Sequence, residues 1–489
     1  MRSQRLAAPN AMTKAGDFSE WYNDIVERAE LIDKRYPIKG MDVWRPYGWS
    51  IMRSIDTFTR AEMDHTGHDE VMFPVFIPEK EFMKEAEQIK GFGGEVYWVT
   101  KGGDNDLDEP LVIRPTSETA MYPMFALWCR SHKDLPLKVY QIVEVFRYET
   151  KQTRSFLRVR QIHFFEAHTA HVDEADAERQ IREDEAIWAR LAEKLCLPYI
   201  VHKRPDWDKF PGAWYTEGAD VVLFGNTPGE RRTLQIATFH HYRDNFAKAY
   251  DIKYEDPTAG PAGPTHRYAH QTTYGMSERL LGAIVAVHGD DKGLMVPPAV
   301  APYQAVVVPI LFKGKEAGVL DGARDVAARL RSAGFRVHID DSEETAGFKY
   351  NHWEMKGVPV RVEVGPRDLD RRQAVLVRRD SGEKRAVPLA GLAAEFQATL
   401  DATAKGMLER ATKLLEESLA YVKTLDQAKD AAGIARVGWC GEEKCGLEIQ
   451  NVTAKSVLGI PLGLKKAYKN TCVVCGKETT TPVDVAKAY

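Results

Sequence analysis

Apolar positions recur at helical spacing in some parts of the chain and alternate or run together in others, and the switch between the two marks the elements. In DFSEWYNDIVERAELIDK (17–34), Trp21, Ile25 and Leu31 share one stripe, which predicts a helix with Ser19 as its N-cap. RPYGWSIMRSIDTFTRAEMDHTGHDE (45–70) predicts a longer helix, followed by an apolar strand, VMFPVFIP (71–78). Pro74 lies inside that strand and has no N–H to give a ladder, so the strand belongs at an edge or an interface. KVYQIVEVFRYE (138–149) and FLRVRQIHFF (156–165) predict a hairpin with a flexible tip, KQTRS. A charged helix over 174–195, strands at VVLF (221–224) and 231–241, and an apolar helix beginning in LLGAIVAVHG (280–289) complete this part.

The proline-punctuated PPAVAPYQ (297–304) reads as a domain boundary. Beyond it come a strand (304–311), a helix (316–333) and a strand (336–341), then two more strands at 360–365 and 374–379. That alternation predicts a compact α/β domain with a partly parallel sheet. Residues 388–430 are alanine-rich and predict helix, whereas 431–489 has little periodicity. A chain of 489 residues accommodates three domains of about 150 residues. They are placed at 1–300, 301–403 and 404–489.

Charge sharpens this division. Residues 1–300 carry 38 basic and 46 acidic side chains, net −8; residues 301–489 carry 29 and 25, net +4. The overall −4 excludes a globally basic nucleic-acid binder, while the basic C-terminal part permits an anionic partner or simply reflects uneven solvation. Hydrophobic residues at 44% and charged ones at 28% exclude bulk disorder. No apolar run reaches the roughly 18 residues of a membrane span. The N-terminal segment has no apolar core of signal type, so the expected location is cytoplasmic with reduced thiols.

In that setting the cysteines point to metal. Cys440 and Cys445 are separated by four residues, Cys472 and Cys475 by two, and the 26 residues between the pairs can fold back as a small ribbon. Four thiolates suit tetrahedral Zn²⁺, and with every position filled by protein the ion would be structural. Two reduced surface pairs without metal are the alternative. Cys129 and Cys196, in apolar helical contexts, read as core residues.

Three arginines stand in core-type segments: Arg147 ending an apolar strand, Arg158 on the return strand, and Arg279 opening an apolar helix. A buried guanidinium calls for a fixed carboxylate or an anionic ligand such as phosphate. For each alone a structural ion pair serves as well. GFGGEV (91–96) lacks the lysine and the strand–helix context of a phosphate loop.

GHDEVMFPVF, VFRYET followed by LRVR, and GMSERLLGAI resemble, in order and spacing, motifs 1, 2 and 3 of class II aminoacyl-tRNA synthetases. RPTSET (114–119), LQIATFHH (234–241) and VHGDDKGLMVPP (287–298) narrow the resemblance to the prolyl-tRNA synthetase family. GFKYNHWEMKGVP (347–359) is similar to that family's anticodon-binding domain. The C-terminal cysteines and the final KAY match its archaeal/eukaryote-like subtype. The resemblance runs from about residue 17 to the end. It implies a multidomain α/β protein: an antiparallel-sheet catalytic domain, an α/β anticodon-binding domain and a small zinc-binding C-terminal domain.

The same resemblance implies roles. Arg147 would hold the α-phosphate of ATP and the proline carboxylate, and Glu149 would accept from the adenine amino group. Arg158 and Arg279 would grip the distal phosphates, and Gln235 would contact the nucleotide. Thr116, Glu118 and His240 would line the L-proline site, with Glu118 facing the cationic imino group. Taken alone, TSE is equally a helix N-cap, and His240 beside His241 equally a core histidine. Glu354 and Lys356 would face anticodon bases of tRNA(Pro), with Lys349 nearby. A homodimer would form through motif 1 around Pro74, and Tyr489 would fold its terminal carboxylate toward the catalytic domain. Mg²⁺ would accompany ATP, and Zn²⁺ would sit on Cys440, Cys445, Cys472 and Cys475.

Some positions depart from the family pattern. Ile162 stands where many relatives have an adenine-stacking aromatic, and Phe164 on the same strand face can take its place. Glu278 beside Arg279 can pair with that arginine and weaken its grip. His352 occupies a frequently acidic position. About 105 residues separate motif 2 from motif 3, too few for an inserted editing domain. The joint presence of Arg147, Glu149, Arg158 and Arg279 argues against a catalytically silent relative. A threonine enzyme of this class would be expected to carry zinc in its active site.

Overall fold

The computed structural model describes residues 13–86, 94–149, 152–257, 265–311, 316–464 and 468–489. Residues 91–93 of GFGGEV and Lys151 of the hairpin tip lie outside them.

One eleven-stranded sheet carries the site. At its centre the strands Ile200–Lys203, Tyr215–Phe224, Arg231–Arg243, His270–Ser277, Gln161–His171 and Leu137–Phe146 lie side by side, each antiparallel to the next. Period-two alternation divides the Gln161–His171 strand. Phe165 and Ala167 enter the main core, which they share with the helices Pro46–His65, Glu174–Lys194 and Arg279–His288. Ile162, Phe164, Glu166 and His168 turn to the opposite face and line a cavity. The sheet does not stop at the catalytic part. Ile460 pairs with Lys203, so the C-terminal strands Ser456–Pro461, Pro482–Ala486, Ile434–Gly438 and Leu419–Tyr421 extend the same sheet.

A second sheet has Val337–Ile339, Ala305–Pro309 and Val360–Val364 in parallel, with Gln373–Arg378 and Lys384–Pro388 added antiparallel. This is the partly parallel α/β domain expected from the alternation. Its core joins Val307, Val362 and Leu376 to Val326, Leu330 and Phe396 of the flanking helices Glu316–Ser332 and Leu392–Glu417. Helix Leu392–Glu417 runs across position 403 without a break.

Several local expectations change. Asp17, not Ser19, caps the first helix (Phe18–Arg28), accepting from the Glu20 amide at 3.0 Å; Ser19 instead accepts a hydrogen bond from Arg154. A carboxylate one turn ahead of the stripe outcompetes a hydroxyl already inside it. Leu31 lies beyond that helix, still fully buried. Residues 71–75 form no strand; only Phe76–Pro78 pairs, and Pro74 lies exposed outside it. The helical stretch 388–430 divides into Leu392–Glu417, the strand Leu419–Tyr421 and Leu425–Asp430. The 26 residues between the cysteine pairs are not a ribbon: they hold a helix, Glu443–Thr453, and the strand Ser456–Pro461.

Candidate active site

Arg147, just past the strand Leu137–Phe146, and Arg158, in the connection before Gln161–His171 rather than on the return strand as expected, both line a cavity of about 440 Å³. Thr116, Glu118, Glu149, Gln235, His240 and Arg279 line the same cavity, so eight of the candidate residues, from five separate segments, come together there.

Glu118 is buried and doubly held: Thr116 Oγ1 donates to its Oε2 at 2.5 Å and the Tyr242 hydroxyl to its Oε1 at 3.1 Å. Glu118 opens the helix Glu118–Trp128, and Ser117 at the N-cap position makes no side-chain cap bond. Ser117 Oγ is committed instead to Glu166, and Gln141 Nε2 donates to both, at 3.0 Å to Ser117 Oγ and 2.9 Å to Glu166. Burial raises the Glu166 carboxyl, but His168 and these donors overcome it and hold it below the ordinary range. His168, 3.1 Å away, is raised despite burial by that same carboxylate. A buried ion pair thus underlies the TSE segment.

His240 Nδ1 lies 2.9 Å from Thr216 Oγ1, its ring is 4.6 Å from Phe210, and Tyr242 stacks at 6.0 Å. Burial, with His168 nearby, lowers its pKa to about 3, so the ring is neutral at pH 7. Gln235 and His240 are an odd number of residues apart and would face opposite ways in a regular strand. A β-bulge resolves this: Ala237 pairs with Ala219 and Gln235 with Asp220, leaving Ile236 as the extra residue.

Arg147 Nε donates to the Pro115 carbonyl at 3.1 Å; burial lowers its pKa, opposed by Glu118, Glu95 and Glu166. Arg158 Nη1 reaches Glu149 at 3.3 Å. Arg279 donates from Nε to Leu157 O at 3.0 Å and from Nη1 to Gln235 O at 3.2 Å. Burial first, then the charges of Arg147 and Arg158, bring its pKa down to about 10. Glu278 does not hydrogen-bond Arg279; its Oε2 accepts from the His163 amide at 2.7 Å. Burial lifts Glu278 to about 8, which leaves it largely protonated and unfit to neutralise its neighbour. Ile162 and Phe164 both line the cavity, and the Phe164 ring lies where a Cβ on Gly275 would come within 3.2 Å.

The strands also contribute Glu166, His168, Thr216 and Tyr242, which the sequence reading missed. FFEAHTAH (164–171) offered the signal: Glu166 and His168 fall in the same parity as Ile162 and Phe164. Arg204, whose Nη2 donates to Gln235 Oε1 at 2.7 Å and pairs with Asp220 at 2.9 Å, had no such periodic cue.

The remaining candidates lie elsewhere. Lys349 is buried, donating to the carbonyls of Asp340 (2.9 Å) and Ser342 (2.7 Å). Glu354 accepts from Arg361 at 3.2 Å. Lys356 is nearly buried, with its ammonium paired to Glu30 and 4.7 Å from the Tyr47 ring centroid. The Tyr489 ring packs on Phe18 and between Arg154 and Arg232, and its amide donates to Thr233 O at 3.0 Å.

The ligand atoms of Cys440, Cys445, Cys472 and Cys475 all lie within 4.8 Å of one another. Thiolates on a tetrahedral zinc stand about 3.8 Å apart, given bonds of about 2.3 Å. The four side chains therefore fit a metal with little adjustment. Cys129 and Cys196 are buried in the core, their thiols raised to about 12 by burial.

An antiparallel sheet flanked by helices, with arginines from a strand hairpin and a helix start meeting over one cavity, defines a class II aminoacyl-tRNA synthetase core. Residues 97–288 match the tRNA synthetase class II core domain (G, H, P, S and T), and residues 304–399 match the anticodon binding domain. Residues 422–489 match the C-terminal domain of prolyl-tRNA synthetase. The "Proline--tRNA ligase" of Thermococcus kodakarensis is 54% identical over 481 residues, covering 97% of this chain and 98% of that protein. That of Pyrococcus abyssi is 52% identical with the same coverage. A solved structure, Giardia lamblia prolyl-tRNA synthetase in complex with prolyl-adenylate, superposes with a TM-score of 0.92 at 34% identity, over 98% of this chain and 100% of that one. The chain belongs to the prolyl-tRNA synthetase family.

Proposed function

We propose that this cavity makes prolyl-adenylate from L-proline and ATP and then charges tRNA(Pro). One observation carries the reading: three guanidinium groups and a buried, doubly hydrogen-bonded carboxylate line a single cavity. Glu118 meets proline's secondary ammonium, with Thr116 fixing the carboxylate and neutral His240 closing the pocket without adding charge. Arg147 bridges the proline carboxylate and the α-phosphate. Arg158 and Arg279 take the distal phosphates, Glu149 the adenine amino group, and Gln235 the nucleotide. A proline carboxylate oxygen attacks the α-phosphorus in line, and the bond to the bridging oxygen breaks, releasing pyrophosphate. The terminal ribose hydroxyl of the tRNA then attacks the prolyl carbonyl and AMP leaves. No protein nucleophile is required; catalysis is positioning and charge neutralisation. Mg²⁺ would supply further neutralisation of the triphosphate.

The division into 1–300, 301–403 and 404–489 assigns catalysis, anticodon reading and a structural Zn²⁺ on the four cysteines. Glu354, Lys356 and Lys349 are assigned to the anticodon region, Lys349 and Lys356 supporting it from beneath rather than from the surface. Exposed Met72, Pro74 and Phe76 form an apolar strip around motif 1 that supports a homodimer there. Tyr489, seated on the catalytic body, anchors the C-terminal end. No helix among the described residues is long and apolar enough to cross a membrane, and we assign the enzyme to the cytoplasm. An Arg147→Ala variant tests the reading. It should lose proline-dependent pyrophosphate exchange while keeping its zinc; retained exchange would contradict the assignment.

A further inference from the structure

The loop from Pro205 to Trp214 belongs to two sites at once. Lys209, Phe210 and Pro211 line the cavity, and Phe210 covers the His240 ring at 4.6 Å. The Phe210 amide donates to Thr216 Oγ1 at 2.9 Å, the same hydroxyl that lies 2.9 Å from His240 Nδ1. His240 in turn stacks on Tyr242, whose hydroxyl donates to Glu118. Phe210 is therefore the outer member of the cluster assigned to proline. Three residues earlier, Trp207 leaves the catalytic body and enters the C-terminal module. Its ring meets Trp439 edge-on, at 5.8 Å and 90°. Gly446 also approaches, so closely that a Cβ there would stand 2.2 Å from the indole.

The two walls of this slot are the chain neighbours of metal-site residues: Trp439 precedes Cys440, and Gly446 follows Cys445. The Trp439 wall is itself held, since Trp439 Nε1 donates to Glu442 O at 3.0 Å and its amide to Thr481 O at 3.0 Å. Around Trp207 the loop's own ties are a short turn, with the Asp208 and Lys209 amides on Pro205 O at 3.0 Å, and the Phe210 bond already described; its far end is held separately, by Ala213 N–H on Phe210 O (2.9 Å), Trp214 N–H on His241 O (2.7 Å) and Asn245 Nδ2 on Gly212 O (2.8 Å).

We infer that Trp207 is a positioning residue for the amino-acid site: the cysteine module grips the indole and thereby holds the Phe210 wall against His240. The inference rests on reading the Glu118–His240 cluster as the proline pocket. It gives the C-terminal module a part in catalysis that involves no contact with substrate. It also separates the two substrates, because Arg158, Glu149 and Arg279 are held by their own partners and owe nothing to this loop. Trp207 Nε1 is buried without a hydrogen-bond partner. The indole thus acts by shape alone, and phenylalanine should largely replace it.

The test uses the full-length, zinc-loaded protein. Trp207→Ala should raise the KM for proline in pyrophosphate exchange by about tenfold or more, as displacement of a positioning group by about 1 Å does. The KM for ATP should move less than about twofold, and zinc content should stay unchanged. Hydrogen exchange of the 206–213 amides should quicken in the same variant without substrate present. Trp207→Phe should restore both readouts, and Gly446→Ala, whose Cβ would displace the indole, should reproduce the alanine pattern. An unchanged KM for proline in Trp207→Ala and Gly446→Ala, or an equal rise for ATP, overturns the inference. Glu118→Gln separates the two levels. If it leaves the KM for proline unmoved, the pocket reading itself falls and the inference with it. If it raises that KM while the Trp207 variants do not, only the positioning role is refuted.

Discussion

Arg279→Gln separates a phosphate-binding arginine from a structural one, because the two readings predict opposite signs for stability. The Arg279 guanidinium donates to two carbonyls, Leu157 O and Gln235 O, and the carboxyls of Glu278 and Asp220 act on it only as weaker opposing charges. Burial and two neighbouring guanidiniums lower its pKa from 12.5 to about 10. At about 1.4 kcal/mol per unit, that shift is an electrostatic penalty of about 3 kcal/mol at neutral pH, where the group is charged in both folded and unfolded chains. Solvent at the open cavity screens part of it, and the lost carbonyl bonds cost about 1 kcal/mol each, one of which glutamine can remake. The variant should therefore be as stable as the parent or more stable by about 1 kcal/mol. It should bind ATP worse by at least about tenfold, the value of one charge-assisted contact of about 1.5–3 kcal/mol. Denaturant unfolding of the free protein and the KM for ATP in pyrophosphate exchange measure the two quantities. A variant losing several kcal/mol of stability while keeping its KM for ATP would show Arg279 to be structural, and the phosphate assignment would be wrong.

His163 sits between Asp56 (3.0 Å) and Glu144 (3.1 Å), and these carboxylates overcome its burial to raise its pKa to about 10. A raised histidine stabilises fully below its unfolded value of about 6.5 and loses that contribution as pH climbs to 10, so stability should fall across this window by at most about 5 kcal/mol. His163→Gln should flatten that slope in urea titrations at several pH values; an unchanged slope would refute it. Cys472→Ser should release the metal and loosen the C-terminal strands, read as lost zinc stoichiometry and faster hydrogen exchange in Ile434–Gly438 and Pro482–Ala486. Full protection without metal would contradict a structural site. A pocket cut for pyrrolidine rejects a smaller side chain by only about 10–200-fold. Alanine should therefore support measurable exchange, and the purified protein should leave Ala-tRNA(Pro) intact; clearance without a partner would show an editing site within the chain.

The residues alone marked only Arg147, Arg158 and Arg279, each equally readable as a structural ion pair; the order and spacing of the three motifs, through the family resemblance, supplied Thr116, Glu118, Glu149, Gln235 and His240. What escaped depended on departures from regular geometry. The bulge at Ile236 is one: Gln235 and His240, which the family resemblance had already named, share a face only through it, and pairing with the neighbouring strand creates it where local sequence does not encode it. Glu166 and His168 were legible by parity but looked like ordinary strand residues until their partners, Ser117 and Gln141, came from distant segments. The strands Tyr97–Gly102 and Asn105–Ile113 went unseen because VTKGGDNDLDEP is polar on both faces. The C-terminal module hid its strands for another reason. They are short and buried on both sides in a sheet shared with the catalytic part, so they show no alternation.

Pyrophosphate exchange with each amino acid in turn tests the central claim most directly. Exchange should be fastest by far with proline, weak with alanine and undetectable with threonine, and it should require ATP. No exchange with proline, or a stronger signal with another amino acid, would contradict the reading of Glu118, Thr116 and His240 as a proline pocket beside a nucleotide held by Arg147, Arg158 and Arg279.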